Sequence, residues 1–134
     1  MKKIAIIGIS GYSGLELLRL LHSHSDAEIV SVYGTSNIGT KLTDLFPKLL
    51  NFPKYADLTI KTFSSDEIMT TADLVFFATP AGIAADLATD FIAADFPVVD
   101  LSGDFRLQNP AQYEKWYKKS AVHKNLLSKA DYVL

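Results

Sequence analysis

The chain contains no cysteine. That excludes disulfides, cysteine-ligated zinc and any thiol nucleophile within its 134 residues. Long hydrophobic runs are missing too. No stretch approaches the ~20 apolar residues of a membrane span, and the run Ile4 to Ile9 behind Met1-Lys2-Lys3 falls short of the ~7–15 residues of a secretory h-region. Arginine occurs only at Arg19 and Arg106, no Lys/Arg cluster forms, and 13 basic against 15 acidic residues leave a formal charge of −2. That balance argues against nucleic acid and against an anionic membrane surface. The expected partner is a small molecule, and the expected compartment is the cytoplasm. A hydrophobic content of 49% suffices for one domain to bury a core without staples.

The most informative segment present is Ile4-Ala5-Ile6-Ile7-Gly8-Ile9-Ser10-Gly11-Tyr12-Ser13-Gly14-Leu15-Glu16-Leu17-Leu18, where three glycines spaced by three join an apolar strand to an amphipathic helix. A buried parallel strand reads as such a continuous apolar run. Glycines at this junction let the backbone turn tightly, approach a pyrophosphate and pack helix on strand, while the first helical N–H groups face the anion. The dinucleotide fingerprint Gly-x-Gly-x-x-Gly would put glycine at Ser10, so the match is incomplete, and a glycine turn without a ligand has the same spacing. Ser10 and Ser13 add hydroxyls that suit a helix cap or a phosphate oxygen. Tyr12 is open to packing or stacking.

Hydrophobic periodicity orders the rest of the chain. The pattern predicts a helix over Tyr12–Ser23, a strand over Glu28–Tyr33, and a long loop with helical turns from Gly34 to Asp57. It then predicts a strand over Leu58–Thr62, a capped short helix from Ser65, an apolar strand over Leu74–Ala78, and a helix carrying Ile83, Leu87, Phe91 and Ile92. A short buried strand over Pro97–Leu101, a helix over Pro110–Lys119 and a strand over Ala130–Leu134 complete the reading. Alternating strands and helices imply an α/β fold: a doubly wound, Rossmann-type, mostly parallel sheet with helices on both faces. The chain is expected to be one dinucleotide-binding domain over residues 1–134, cut from a longer two-domain enzyme.

Ligands of such sheets bind beyond the carboxyl ends of the strands where strand order reverses, so the loops after Ile9, Tyr33, Ala78 and Leu101 are the candidate lining. After the second strand an NAD site would present a carboxylate to the ribose 2′-hydroxyl. Gly34-Thr35-Ser36-Asn37-Ile38-Gly39-Thr40-Lys41 has none, which favours NADP, with Thr35 and Ser36 as donors and Lys41 as a solvated residue or a phosphate contact. Ala78, Thr79 and Pro80 are small residues at a strand end and leave room for a nicotinamide ring. The expected cofactor residues are therefore Gly8, Ser10, Gly11, Tyr12, Ser13, Gly14, Thr35, Ser36, Ala78, Thr79 and Pro80. Ser102 and Arg106 are candidates for the substrate or phosphate side. Arg106 suits a bidentate anion contact, or else pairs with Asp104 to hold the loop, and the sequence leaves both open. No metal site is expected, His22 and His24 are read as structural, and His123, alone in a polar segment, carries no catalytic assignment.

Gly8 to Leu21, Asp73 to Pro80, Val99-Asp100-Leu101-Ser102-Gly103-Asp104-Phe105-Arg106-Leu107 and Tyr113 to Tyr117 together resemble the N-acetyl-gamma-glutamyl-phosphate reductase family of arginine biosynthesis. The blocks follow the family's order over nearly the whole chain, and Asp-Leu-Ser-x-Asp-Phe-Arg is the most specific. The resemblance implies reduction of an acyl phosphate to an aldehyde by NADPH, through a cysteine thioester and loss of phosphate, in a longer enzyme expected to be a homo-oligomer. Neither that cysteine nor its partner histidine has a counterpart in this chain, which is therefore expected to be inactive alone. Two other readings stay open: a coenzyme domain like that of aspartate-semialdehyde dehydrogenase, and a non-catalytic NADP(H)-sensing module.

Overall fold

A computed structural model describes residues 1–133. Five strands, β1 (Lys2–Ile7), β2 (Ala27–Tyr33), β3 (Ile60–Lys61), β4 (Leu74–Phe77) and β5 (Val98–Asp100), form one sheet in the order β3-β2-β1-β4-β5. Every adjacent pair is parallel. The helices are α1 (Tyr12–His22), α2 (Leu42–Leu45), α3 (Ser65–Thr71), α4 (Ile83–Leu87), α5 (Thr89–Ala93), α6 (Pro110–Tyr117) and α7 (Lys124–Leu127). None is long and apolar enough to cross a membrane.

Period-2 alternation divides the core between the two faces of the sheet. Ile4 and Ile6 pack with Leu17 and Leu18 of α1 and with Leu42, Leu49 and Tyr55 of the long connection. Ala5 and Ile7 face the other way, with Val75, Phe77, Ile68 of α3, Ala84 of α4 and Phe91 of α5. A bulge between the Ile4–Ile29 and Ala5–Ser31 pairs leaves Val30 unpaired, so that Ile29 and Val32 share one face while Tyr33 joins the other. Phe91 is fully buried and meets Phe63 and Phe77 edge-on, at centroid distances of 6.2 and 6.0 Å.

The observed elements depart from the sequence reading where pairing, rather than periodicity, decides. Only Ile60–Lys61 of the predicted Leu58–Thr62 strand pairs with β2, and Thr59 instead makes an antiparallel bridge to Lys41. The long connection folds into α2 and two 3-10 turns, Pro47–Asn51 and Pro53–Tyr55. The single helix expected around Ile83 to Ile92 is two, although amide bonds from Ala88 to the Ala84 carbonyl and from Ile92 to the Ala88 carbonyl carry the apolar face across the break. β5 was expected to be buried. It has one neighbour, and Val99 is 39% exposed. The expected strand at Ala130–Leu134 is absent from its described part, 130–133, where the Ala130 carbonyl accepts from Gln108 and Tyr132 lies under the Arg106 guanidinium. Leu134 lies outside the described residues.

The helix-to-turn packing at Gly14 yields a stability prediction. A Cβ there would sit 2.6 Å from the Gly8 carbonyl oxygen and 2.8 Å from the Ile9 Cα, both backbone atoms, whereas a Cβ at Gly11 would meet only the Gly8 oxygen, at 3.8 Å. Alanine for glycine in a helix interior gains up to about 1 kcal/mol, an upper bound for Gly14 in the first turn of α1, but overpacking against fixed backbone costs about 1–3 kcal/mol. Gly14→Ala is therefore expected to destabilise by about 2 kcal/mol, and Gly11→Val to change stability little. Urea unfolding of both variants checks this; a stabilised Gly14→Ala would show that the turn yields.

Candidate functional site

The strand order reverses between β1 and β4, and the carboxyl ends of all five strands are stitched there by one regular set of amide bonds. Gly34 N–H donates to the Lys61 carbonyl (3.2 Å), Gly8 to Tyr33 (2.9 Å), Ala78 to Ile7 (2.9 Å) and Leu101 to Phe77 (2.9 Å). Gly8 has φ +89°, and a Cβ on it would lie 2.5 Å from the Ala78 oxygen and 2.9 Å from Thr79 Cγ2. The glycine turn and the Ala78–Thr79 turn are thus in direct contact at the switch point.

From this contact α1 points outward with its first turn uncovered. Gly11 is the N-cap, in extended conformation and without a side-chain cap bond. Its N–H donates to the Gly8 carbonyl at 3.4 Å and its carbonyl accepts from Leu15. Among the described residues nothing accepts from the backbone N–H groups of Ser10, Tyr12, Ser13 or Gly14. Ser10 and Ser13 are exposed, and Tyr12, 97% exposed, does not pack. Thr79 contributes a hydroxyl oxygen that is buried beside this turn without a hydrogen-bond partner.

The loop after β2 is tied down by backbone. Gly39 N–H donates to the Ile60 carbonyl, and Ile60 N–H to that of Thr40. Thr35 and Ser36 remain exposed. Lys41 has a backbone role, as N-cap of α2 and bridge partner of Thr59, with its side chain exposed.

The loop after β5 is built differently, from side-chain bonds. The Ser102 hydroxyl donates to Asp100 Oδ2 (2.9 Å) and accepts from Asp104 N–H (3.1 Å). Asp104 is fully buried and does not pair with Arg106, as the sequence reading allowed. Its carboxyl oxygens accept from Gly82 N–H (2.9 Å), Ala85 N–H (2.9 Å) and the Tyr113 hydroxyl (2.6 Å). Burial, then the Asp104 carboxylate, push the Tyr113 phenol far above its ordinary value, so it serves as a donor. Tyr117 stacks on Tyr113 at 4.7 Å and covers Gly103, where a Cβ would run into its ring. The exposed Arg106 guanidinium donates to Tyr117 Oη (3.2 Å) and the Ser102 carbonyl (3.4 Å).

Of the expected residues, the structure brings Gly8, Gly14, Ala78 and Thr79 into one packed junction, with Ser10, Gly11, Tyr12 and Ser13 on its open side. Pro80 lies exposed on the same turn as Thr79. Ser102 and Arg106 instead line a cleft of about 750 Å³ at the β5 edge, with Asp100, Phe105, Lys129 and Tyr132 and without the glycine turn. The sequence reading missed Tyr113, Tyr117 and Gly103 as supports. The four-residue spacing of the tyrosines, which puts both on one helix face, was the available signal. Of the histidines, His22 sits edge-on to Phe52 at 4.4 Å, and His24 and His123 each accept a local amide bond.

An all-parallel sheet in this order, with a glycine-lined helix start opening at its switch point, defines the dinucleotide-binding class of doubly wound domains. The model of the semialdehyde dehydrogenase NAD-binding domain family matches residues 3–134, and the chain belongs to that family. Proteins named N-acetyl-gamma-glutamyl-phosphate reductase are similar to it. That of Streptococcus mutans is 57% identical over 98% of the chain, and that of Lactococcus lactis is 48% identical over the whole chain, which spans 38% of each relative's length. Among solved structures, aspartate semialdehyde dehydrogenase with NADP from Candida albicans shares the fold, with a TM-score of 0.68 and 23% identity over 82% of this chain and 32% of its own.

Asp100, the last residue of β5, gives a pH prediction. Burial, with a smaller contribution from Asp104, raises its carboxyl above the usual 3.8, against the opposing bonds from Ser102. The folded state therefore holds the proton to higher pH than the unfolded state, and this group's contribution to stability declines as pH rises from 3.8 through the raised value. Asp100→Asn removes that decline while its amide still bonds Ser102. The melting temperature of the variant, relative to wild type, is expected to climb between pH 4 and pH 7, and a falling difference would reverse the assignment.

Proposed function

We propose that this chain is the NADP(H)-binding domain of a reductase that converts N-acetyl-glutamyl 5-phosphate to the semialdehyde with release of phosphate. The observation that carries the reading is the open first turn of α1 at the switch point: four backbone N–H groups without acceptors beside a glycine with room in front of it. A pyrophosphate suits that arrangement, since the amides donate and the helix dipole adds a positive end. The buried, unpartnered Thr79 hydroxyl beside Gly8 suits a polar group of the cofactor on the β4 side. When bound, NADPH supplies a hydride. The chain's own residues hold it: Gly11, Ser10 and Ser13 at the phosphates, Tyr12 as a free face for stacking, and Ala78, Thr79 and Pro80 against the nicotinamide. Arg106 faces the anionic end of the substrate, with Ser102 bound into the loop that carries it. Identities of 48–57% to reductases of this name support the substrate class.

NADP over NAD is supported by the exposed hydroxyls of Thr35 and Ser36 and by the lack of any carboxylate between Gly34 and Lys41. Hydrogen bonds to a charged group contribute about 1.5–3 kcal/mol, so calorimetry is expected to find NADPH bound at least about tenfold more tightly than NADH. Gly11→Val, whose side chain would fill the space in front of the turn, is expected to lose NADPH binding while staying folded. Equal affinities would remove Thr35 and Ser36 as 2′-phosphate contacts, and a Gly11→Val protein that binds normally would remove the phosphate-turn assignment.

The chain alone is expected to oxidise no NADPH with N-acetyl-glutamyl phosphate, because covalent catalysis through a thioester requires a thiol and the chain has none. Absorbance at 340 nm with high protein concentration is the assay. Turnover would overturn the thioester route.

A further inference from the structure

Among the described residues Asp104 is the only buried aspartate or glutamate, and no cation pairs with it. A buried carboxyl is costly unless its oxygens are satisfied. Here they are satisfied by donors from two other elements: Gly82 and Ala85 at the start of α4, and Tyr113 on α6. The N-cap position of α4 is Gly82, in the left-handed region at φ +99° and with no side chain to cap the helix. A cap is normally supplied by the N-cap residue itself, from Ser, Thr, Asp or Asn. A local cap would stabilise α4 and nothing else. The cap used comes from twenty-two residues downstream, and it fixes α4, with the Thr79–Gly82 turn leading into it, to the loop that carries Ser102 and Arg106.

We propose that Asp104 is a positioning residue for the cofactor's nicotinamide end: through Gly82 and Ala85 it sets the Thr79–Pro80 turn against the Ser102–Arg106 loop, with Tyr113 holding the carboxyl in orientation. The proposal rests on the dinucleotide reading above. The Asp104 backbone N–H bonds Ser102 on the substrate side, but neither it nor the carboxyl bonds any residue assigned to the cofactor's pyrophosphate or 2′-phosphate, so its influence on the cofactor is confined to one end.

Two probes titrated into the full chain separate the possibilities: NADPH, and 2′-phospho-ADP-ribose, which lacks the nicotinamide. Asp104→Asn keeps the shape but turns an –NH2 toward one of the donors. It is expected to weaken NADPH by about tenfold while 2′-phospho-ADP-ribose stays within about twofold. Parallel weakening of both probes would make Asp104 a general support of the domain, and no change in either would show that the turn holds without it; each overturns the proposal. Should Asp104→Asn fail to fold, Tyr113→Phe decides, since it leaves the α4 cap in place and removes one donor. Its expected effect is about threefold on NADPH alone, and unchanged NADPH affinity or an equal loss for both probes overturns the proposal. A wild-type chain that binds neither probe would instead remove the dinucleotide reading on which it rests.

Discussion

At Gly8 the chain leaves β1 so close to the Ala78 carbonyl that no residue with a Cβ fits between them, and the remaining geometry of the site follows from that approach. Gly8 also has a positive φ, and the turn from Gly8 to Gly11 presents the N-terminus of α1 at the carboxyl end of the sheet. Gly14 then lies against the Gly8 carbonyl and Ile9, which sets the depth of the helix. Tyr55, whose hydroxyl donates to the Leu18 carbonyl at 3.0 Å, holds the middle of the same helix from the long connection. The three glycines therefore have three separate physical tasks. Gly8 makes the turn, Gly14 allows the packing, and only Gly11 has free space in front of it.

That division explains why a pattern one residue away from the usual fingerprint still builds the same kind of opening. The fingerprint asks for a tight turn, a close approach to the ligand and close helix packing. Nothing in those requirements fixes the second glycine two rather than three residues after the first, provided it stands at the N-cap. Ser10 occupies an exposed position where a side chain meets no obstruction from the protein, so glycine is not needed there.

Much of the fold was legible because parallel strands buried on both faces are apolar throughout and their helices are periodic: β1, β2, β4, α1 and α6 fall within a residue or two of their expected bounds. The misread strands share one cause. Leu58–Thr62, Pro97–Leu101 and Ala130–Leu134 have strand-like composition, but whether such a segment ladders, and how deeply, depends on neighbours that local sequence does not specify. Edge position left β3 at two residues and β5 half-exposed. In the site, backbone features were legible through glycine and small residues. The partner of Asp104 was not, since an amide of Gly82 carries no sequence signal and the nearer Arg106 offers a plausible but unused charge.

The two halves of the site are held by unlike forces, and they should tolerate change differently. Around Gly8 the determinants are contacts between backbone atoms, which only added volume disturbs. Most substitutions on the exposed side of that turn leave them intact. Around Asp104 the determinants are directional bonds among side chains, Ser102 to Asp100, Tyr113 to Asp104 and Arg106 to Tyr117, which even an isosteric change disrupts. One fully buried carboxyl joins this second half to the helix that follows β4. The glycine half is therefore tied to the Arg106 loop by hydrogen bonds as well as by the packing of Phe105 against the core that holds Phe77 and Ala84, and the Arg106 loop is the part of the site whose geometry depends most on the identity of single side chains.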